Sequence, residues 1–236
     1  MKLLLISNST MPGEPYLDYL KKEIREFMGD KERVALFIPY AAITFSYDEY
    51  ESKVEERFAE IGHHVRSIHH FSDPVKAVHD AQVIVIGGGN TWQLVRLLHE
   101  NLLMEAIREK IIKGTPYIGW SAGANVACPT LRTTNDMPIV DPIGFDCLNL
   151  IPFQINPHYL DHSPAGHGGE TREQRIQEFI AVNQEITVAG LREGTMFKYE
   201  NNSLSLIGNH QVRIFKYGEA AKELDNTADF NFLIPF

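Results

Sequence analysis

Four short, almost wholly apolar runs recur along the first half of the chain, each followed by a helix-like stretch. The runs are Leu3-Leu4-Leu5-Ile6, Val34-Ala35-Leu36-Phe37-Ile38, residues 82–86 and residues 115–119. A strand apolar at every position is buried on both faces. Between the runs, residues 16–27, 91–98 and 103–113 carry helical patterning, and Gly114 stops the last of these. Ser46 and Glu49 have the spacing of a capping box for a helix that runs to Gly62. Buried strands alternating with helices predict an α/β fold: a doubly wound, mostly parallel sheet with helices on both faces. With 236 residues, 44% hydrophobic, and no repeat or linker, residues 1–236 are expected to form a single domain. The second half is less regular. It predicts a polar loop at 132–142, a helix at 171–182, a strand at 186–189, and a hairpin of 196–199 with 203–207 around Glu200-Asn201-Asn202.

In an open parallel sheet, ligands bind beyond the carboxyl ends of the strands. Two features fall there. One is Gly119-Trp120-Ser121-Ala122-Gly123, a G-x-S-x-G pattern at the end of an apolar run. Small flanking residues permit a sharp strand-to-helix turn that exposes a serine hydroxyl as a nucleophile. An ordinary βα turn also uses glycines, so the pattern needs partners. The other is Gly87-Gly88-Gly89-Asn90, which fits neither G-x-G-x-x-G nor a P-loop. Its bare backbone suits an oxyanion hole, with donors expected from the amides of Gly89 and Ala122.

A nucleophilic serine needs a base and a carboxylate that orients the base. Of ten histidines, His158 follows an apolar stretch at 150–155 and sits where a strand gives way to a loop. His162 and His167 are alternatives in a glycine-rich loop. His63, His64, His69, His70 and His79 lie near helix ends away from the expected edge. The pairs His63-His64 and His69-His70 lack the spacing of a motif such as H-E-x-x-H, so no metal is expected. Asp136 and Glu193 both qualify as the third member, with Asp141 and Asp161 as weaker candidates. Chain order does not decide, because the same geometry occurs in several orders.

Charge and cysteine usage narrow the class. The net charge of −9 with no basic run argues against nucleic acid as a partner. No apolar run approaches the ~20 residues that span a bilayer, and the amino terminus lacks a signal-peptide pattern. Two cysteines, Cys128 and Cys147, do not make a disulfide framework. The expectation is a cytoplasmic protein that binds neither membrane nor nucleic acid.

Several longer motifs resemble the peptidase E family. They are Gly87-Gly88-Gly89-Asn90-Thr91, Gly119-Trp120-Ser121-Ala122-Gly123-Ala124-Asn125, Arg132-Thr133-Thr134-Asn135-Asp136-Met137-Pro138, Ile155-Asn156-Pro157-His158 and Gly169-Glu170-Thr171-Arg172-Glu173-Gln174-Arg175. The resemblance runs from Leu3 nearly to the carboxyl terminus; only 219–236 departs. It implies a flavodoxin-like sheet akin to class I glutamine amidotransferases, a cytoplasmic location and no cofactor. It also implies hydrolysis of small acidic dipeptides with an unblocked N-terminal aspartate, with Ser121 as nucleophile and His158 as base. Both Asp136 and Glu193 match the pattern for the third member. Asp136 is preferred, as its loop would close when substrate arrives, and Glu193 is the alternative. An aspartate side chain needs a cation, and the resemblance raises Arg172 above its rivals Arg132 and Arg175. Asn90 is expected to orient the substrate's termini. Three other readings stay open: a cyanophycinase-like hydrolase of β-linked Asp-Arg, a general esterase, and a non-catalytic small-molecule binding module. The sequence does not specify an oligomeric state.

Overall fold

In the computed structural model, residues 1–162, 166 and 168–234 are described. The four apolar runs form Leu3–Ile6 (β1), Val34–Ile38 (β2), Ile84–Ile86 (β4) and Tyr117–Trp120 (β5). His64–Ser67 (β3) lies at the sheet's edge, and the hairpin Met196–Glu200 (β8) and Ser203–Ile207 (β9) completes the other side. The seven-stranded order is β3-β2-β4-β5-β1-β8-β9. Pairs from β3 to β1 are parallel, and β8 and β9 add antiparallel. The hairpin turns at Asn201 and Asn202, whose φ of 53° and 59° are left-handed and suited to asparagine.

Among the described residues seven helices accompany the strands: Lys21–Met28 (α1), Tyr47–Glu60 (α2), Pro74–Asp80 (α3), Thr91–Glu100 (α4), Leu103–Ile112 (α5), Ala122–Asn125 (α6) and Arg172–Val182 (α7). The capping box of α2 forms as expected, with Ser46 and Glu49 bonded reciprocally. The first helix is shorter than 16–27, because Leu17 takes a left-handed φ of 57° and a 3₁₀ turn precedes Lys21. The short α3 had its signal in Asp73-Pro74, an N-cap followed by proline at the first helical position.

Alternate residues along each strand divide between two cores. Leu4, Ile6, Phe37, Val85, Ile118 and Trp120 pack with α1 and with Tyr50, Val54 and Phe58 of α2. Leu3, Leu5, Ile38 and Ile86 pack the other way, against Leu94, Val95 and Leu98 of α4 and Ile107 of α5. Burial on both faces is the reason these strands read as unbroken apolar runs. Each such side chain contributes about 1.5–3 kcal/mol.

A second sheet was not anticipated. Gln154–Tyr159 (β6), Val188–Arg192 (β7), Val212–Phe215 (β10) and Lys222–Leu224 (β11) pair in the order β11-β10-β7-β6. Ile155, Leu191, Val212 and Ile214 join the core that holds Leu3 and Leu5. The pairings of β6 with β7 and of β7 with β10 join separate segments of the chain, and no local pattern records which sheet such strands enter. This sheet positions the candidate site, because His158 is the penultimate residue of β6.

Candidate active site

The elbow sits at the carboxyl end of β5. Ser121 has φ 52° and ψ −111°, a strained conformation for a residue with a side chain. The surroundings hold it there. Its N–H donates to the Ile6 carbonyl at 2.9 Å, and its carbonyl accepts from Ala124 and Asn125, each at 3.0 Å. The flanking glycines are required by proximity rather than by turn conformation. A Cβ on Gly119 would stand 2.4 Å from the Gly123 carbonyl oxygen, and one on Gly123 would stand 2.2 Å from that of Ile86.

His158, the expected base, is delivered by a β-bulge. In the β6–β7 pairing Asn156 faces Gly190 and Tyr159 faces Arg192, so Pro157 and His158 together oppose Leu191 alone. Pro157 has no N–H to pair, and the extra residue turns His158 to φ 53°. The His158 N–H donates to Ser7 Oγ at 2.9 Å, and that hydroxyl donates to the Leu191 carbonyl at 2.7 Å. His158 Nε2 then lies 2.9 Å from Ser121 Oγ. Its Nδ1 lies 2.7 Å from Glu193 Oε1. Glu193 stands in the turn between β7 and β8. The next residue is pinned there, since the Gly194 N–H donates to Asn8 Oδ1 at 2.8 Å. Arg192 beside it is locked by Asp161 and Glu223, which hold its guanidinium well above the usual range.

Asp136, the preferred third member on sequence, makes no contact with His158. Its Oδ2 accepts from the Thr91 N–H at 2.7 Å, from Thr91 Oγ1 at 2.6 Å and from Thr134 Oγ1 at 3.1 Å. The carboxylate thus ties its loop to the amino terminus of α4, where the helix dipole favours negative charge. Glu193 occupies the position against Nδ1 instead. Asn90 is also engaged otherwise. Its Oδ1 caps α4 through Gln93 N–H, and its Nδ2 donates to the Met137 carbonyl. Asp161 serves Arg192, Asp141 caps a turn at Ile143, and His162 is exposed. His167 lies outside the described residues.

Ser121, His158, Glu193, Asp136 and Arg172 line one cavity of about 410 Å³, together with Thr91, Thr134, Asn135 and Leu160. Arg172, first residue of α7, is half-buried and forms no ion pair among the described residues. Burial and the neighbouring Arg175 depress its pKa, and Asp136 opposes them. A guanidinium nonetheless stays charged. The rivals are accounted for: Arg132 stacks on Phe145, and Arg175 is exposed beside Glu170.

On the other side of Ser121 and His158 a second cleft is lined by Ser9, Tyr16, Phe45, Tyr50, Lys53, Gly88 and Gly89. Tyr50 is a residue that sequence reasoning missed. Its hydroxyl donates to the Gly88 carbonyl at 2.9 Å and accepts from Trp120 Nε1 at 3.1 Å. Burial pushes its pKa up to about 12, so it remains a neutral donor. The available signal was its spacing with Val54 and Phe58 on one helix face. Ser7 and Asn8 were also missed, although two polar residues directly after an apolar strand mark the same edge.

Among the described residues the N–H groups of Gly89 and Ala122 meet no protein acceptor. Gly89 has φ 137°, and a Cβ there would stand 2.2 Å from the Ala41 carbonyl oxygen. Gly89→Ala is therefore expected to cost at least ~1–3 kcal/mol. Thermal denaturation checks this, with an expected fall in Tm of about 5 °C.

A strained serine, a histidine and a glutamate in one hydrogen-bonded line, at the carboxyl edge of a doubly wound sheet, define a nucleophile-elbow hydrolase architecture. Comparison with known proteins makes the class specific. The model of peptidase family S51 matches residues 3–207. A protein of Nostoc sp. named Peptidase E is 49% identical over 99% of this chain and 96% of its own length. A Salmonella typhimurium protein of the same name is 48% identical over 95% of this chain and 98% of its own. The chain belongs to peptidase family S51, and is a peptidase. Two solved structures share the fold. One is a peptidase from an acI-B1 Actinobacterium, with TM-score 0.67, 18% identity, and 97% and 96% of the two chains covered. The other is a putative Peptidase E from Listeria monocytogenes, with TM-score 0.59, 23% identity, and 95% and 98% covered. No helix among the described residues is long and apolar enough to cross a membrane.

Proposed function

We propose that the protein is a serine dipeptidase that cleaves dipeptides bearing an unblocked N-terminal aspartate. The observation that carries this reading is Arg172: a half-buried guanidinium with no ion pair among the described residues, on the wall of the cavity that holds Ser121 and His158. A fork of donors in a small cavity selects a planar carboxylate, and the aspartate side chain supplies one. Asp136 supplies the complement. Its Oδ2 is taken by threonines, while Oδ1 has no partner among the described residues and suits an α-ammonium group. An acetylated terminus would lose that partner and leave a charge desolvated.

In the mechanism, Ser121 Oγ attacks the carbonyl carbon of the N-terminal aspartate as His158 Nε2 takes its proton. Glu193 accepts the Nδ1–H, fixes the tautomer and stabilises the imidazolium. The Gly89 and Ala122 amides donate to the oxyanion. The C–N bond then breaks, and Nε2 returns the proton to the departing amine. Water, deprotonated by His158, hydrolyses the aspartyl ester on Ser121. The leaving residue occupies the cleft of Tyr16, Phe45 and Tyr50, with the exposed Lys53 placed for its carboxylate. A cytoplasmic location accords with Cys128 and Cys147, both buried and unpaired.

The test compares Asp-Leu with Asn-Leu, Glu-Leu, N-acetyl-Asp-Leu, β-Asp-Leu and β-Asp-Arg. Cleavage of Asp-Leu alone is expected. Arg172→Met should lower kcat/KM for Asp-Leu about 100-fold, the worth of ~3 kcal/mol of charge-assisted bonds, with Asn-Leu still uncleaved. Preference for β-Asp-Arg would replace this reading with a cyanophycinase-like one. No turnover of any substrate would sink it.

A further inference from the structure

The structure assigns a metal site to Asp48, Glu51, His69 and His70; we propose that it binds one divalent transition ion, Zn²⁺ foremost. The pair His69-His70 carries no metal spacing in the sequence. Folding supplies the missing ligands from elsewhere. Asp48 and Glu51 are three residues apart in the first turns of α2, on one face. His69 and His70 lie in the 3₁₀ turn that follows β3. One ligand atom from each of the four lies within 4.8 Å of every other. His69 Nε2 stands 2.9 Å from Asp48 Oδ1, and His70 Nε2 stands 2.5 Å from Glu51 Oε2 and 3.8 Å from Asp48 Oδ1. Zinc–ligand bonds of about 2.0–2.1 Å put tetrahedral neighbours roughly 3.4 Å apart. The tips need only small shifts to reach that spacing.

Ser67 is the independent observation. This residue is fully buried, and it holds both a histidine and a carboxylate of the cluster from behind. Its Oγ lies 2.6 Å from His69 Nδ1, and its N–H donates to Glu51 Oε1 at 2.6 Å. Each contact occupies the outer atom of a ligand and leaves the inner atom, Nε2 or Oε2, facing the common centre. Such backing orients the ligands of metal sites and fixes the histidine tautomer. Two imidazoles and two carboxylates also suit the ion chemically, since the carboxylates neutralise its charge. On binding, any proton on an Nε2 leaves to solvent, and His69 donates Nδ1–H to Ser67 Oγ. The ion would tie the start of α2 to the turn after β3. That helix carries Tyr50, which braces the glycine turn beside Ser121.

The full chain, stripped with chelator, is titrated with Co²⁺ by visible absorption and with Zn²⁺ by competition against a chromophoric chelator. One equivalent per chain is expected, with a raised Tm. His69→Gln and His70→Gln should each weaken Zn²⁺ at least tenfold, and so should Asp48→Asn, which alters only an exposed side chain. His64→Gln removes a different histidine, one that pairs with Glu55, and should leave the affinity unchanged. Absence of saturable one-to-one binding to the unaltered chain would overturn the assignment. Binding undiminished by Asp48→Asn and by both histidine variants would overturn it equally, because the ion would then sit elsewhere.

Discussion

Replacing Ser121 by alanine is expected to lower kcat for Asp-Leu by at least ~10⁴-fold while leaving the fold and ligand binding in place. The side chain loses only Oγ, which contacts His158 Nε2 and makes no other hydrogen bond within the described residues. The backbone bonds to Ile6, Ala124 and Asn125 do not involve it. Tm should therefore stay within a few degrees, and a slowly cleaved Asp dipeptide should bind the variant with an affinity near its Kd for the parent protein. Calorimetric binding to the variant, alongside release of free leucine by both proteins, checks the two halves. Equal hydrolysis by the variant would remove Ser121 from the chemistry. Binding without turnover by the unaltered protein would mean a binding module on a peptidase fold.

The second large effect separates two carboxylates, of which the sequence reading preferred Asp136 and kept Glu193 as the alternative. Glu193→Gln should lower kcat by about 10²–10⁴-fold with little change in KM, because it removes the charge facing the imidazolium but keeps an acceptor near Nδ1. Asp136→Asn should behave in the opposite way. A kcat within a few-fold of the parent and a KM for Asp-Leu raised at least ~10-fold are expected, since the substrate's ammonium loses its partner. The same change weakens the charge-assisted bonds from Thr91 at the start of α4. That costs about 1 kcal/mol, a fall in Tm of roughly 2–4 °C. Steady-state kinetics on a series of Asp-Leu concentrations distinguish the patterns. Interchanged kcat and KM effects would return the orienting role to Asp136.

Much of the fold was legible because burial leaves a pattern in the residues themselves. The runs at Leu3 and Val34 are apolar throughout, and their alternate side chains do enter opposite cores. Ser46 and Glu49 announced α2, and the hairpin at Asn201-Asn202 was marked by residues that tolerate a left-handed backbone. The second sheet left no such mark. A strand was expected near β7, but Gln154 pairs with Val188 and Arg213 with Gly190, partners that no local pattern specifies. The register that makes the bulge at Pro157 and His158 belongs to the pairing with β7, not to either strand alone.

The site divides along the same line. Residues determined by local chemistry were readable from sequence: the elbow needs glycines flanking Ser121, and His158 follows an apolar stretch into Asn156-Pro157. Roles set by direction in space were not. Asp136 and Glu193 are both carboxylates in loops at the right edge, and only the folded chain turns one toward Nδ1 and the other toward Thr91. Asn90 looked available for substrate, and a helix cap claimed it. The sequence alone determined the sheet, the elbow and the pair of candidate carboxylates, because hydrophobic period and glycine placement act within a few residues. The tertiary structure decided which carboxylate meets His158, and it gathered Asp48, Glu51, His69 and His70 around one point. Hydrogen bonds extend only about 3 Å, so such partners exist only where folding has already placed them.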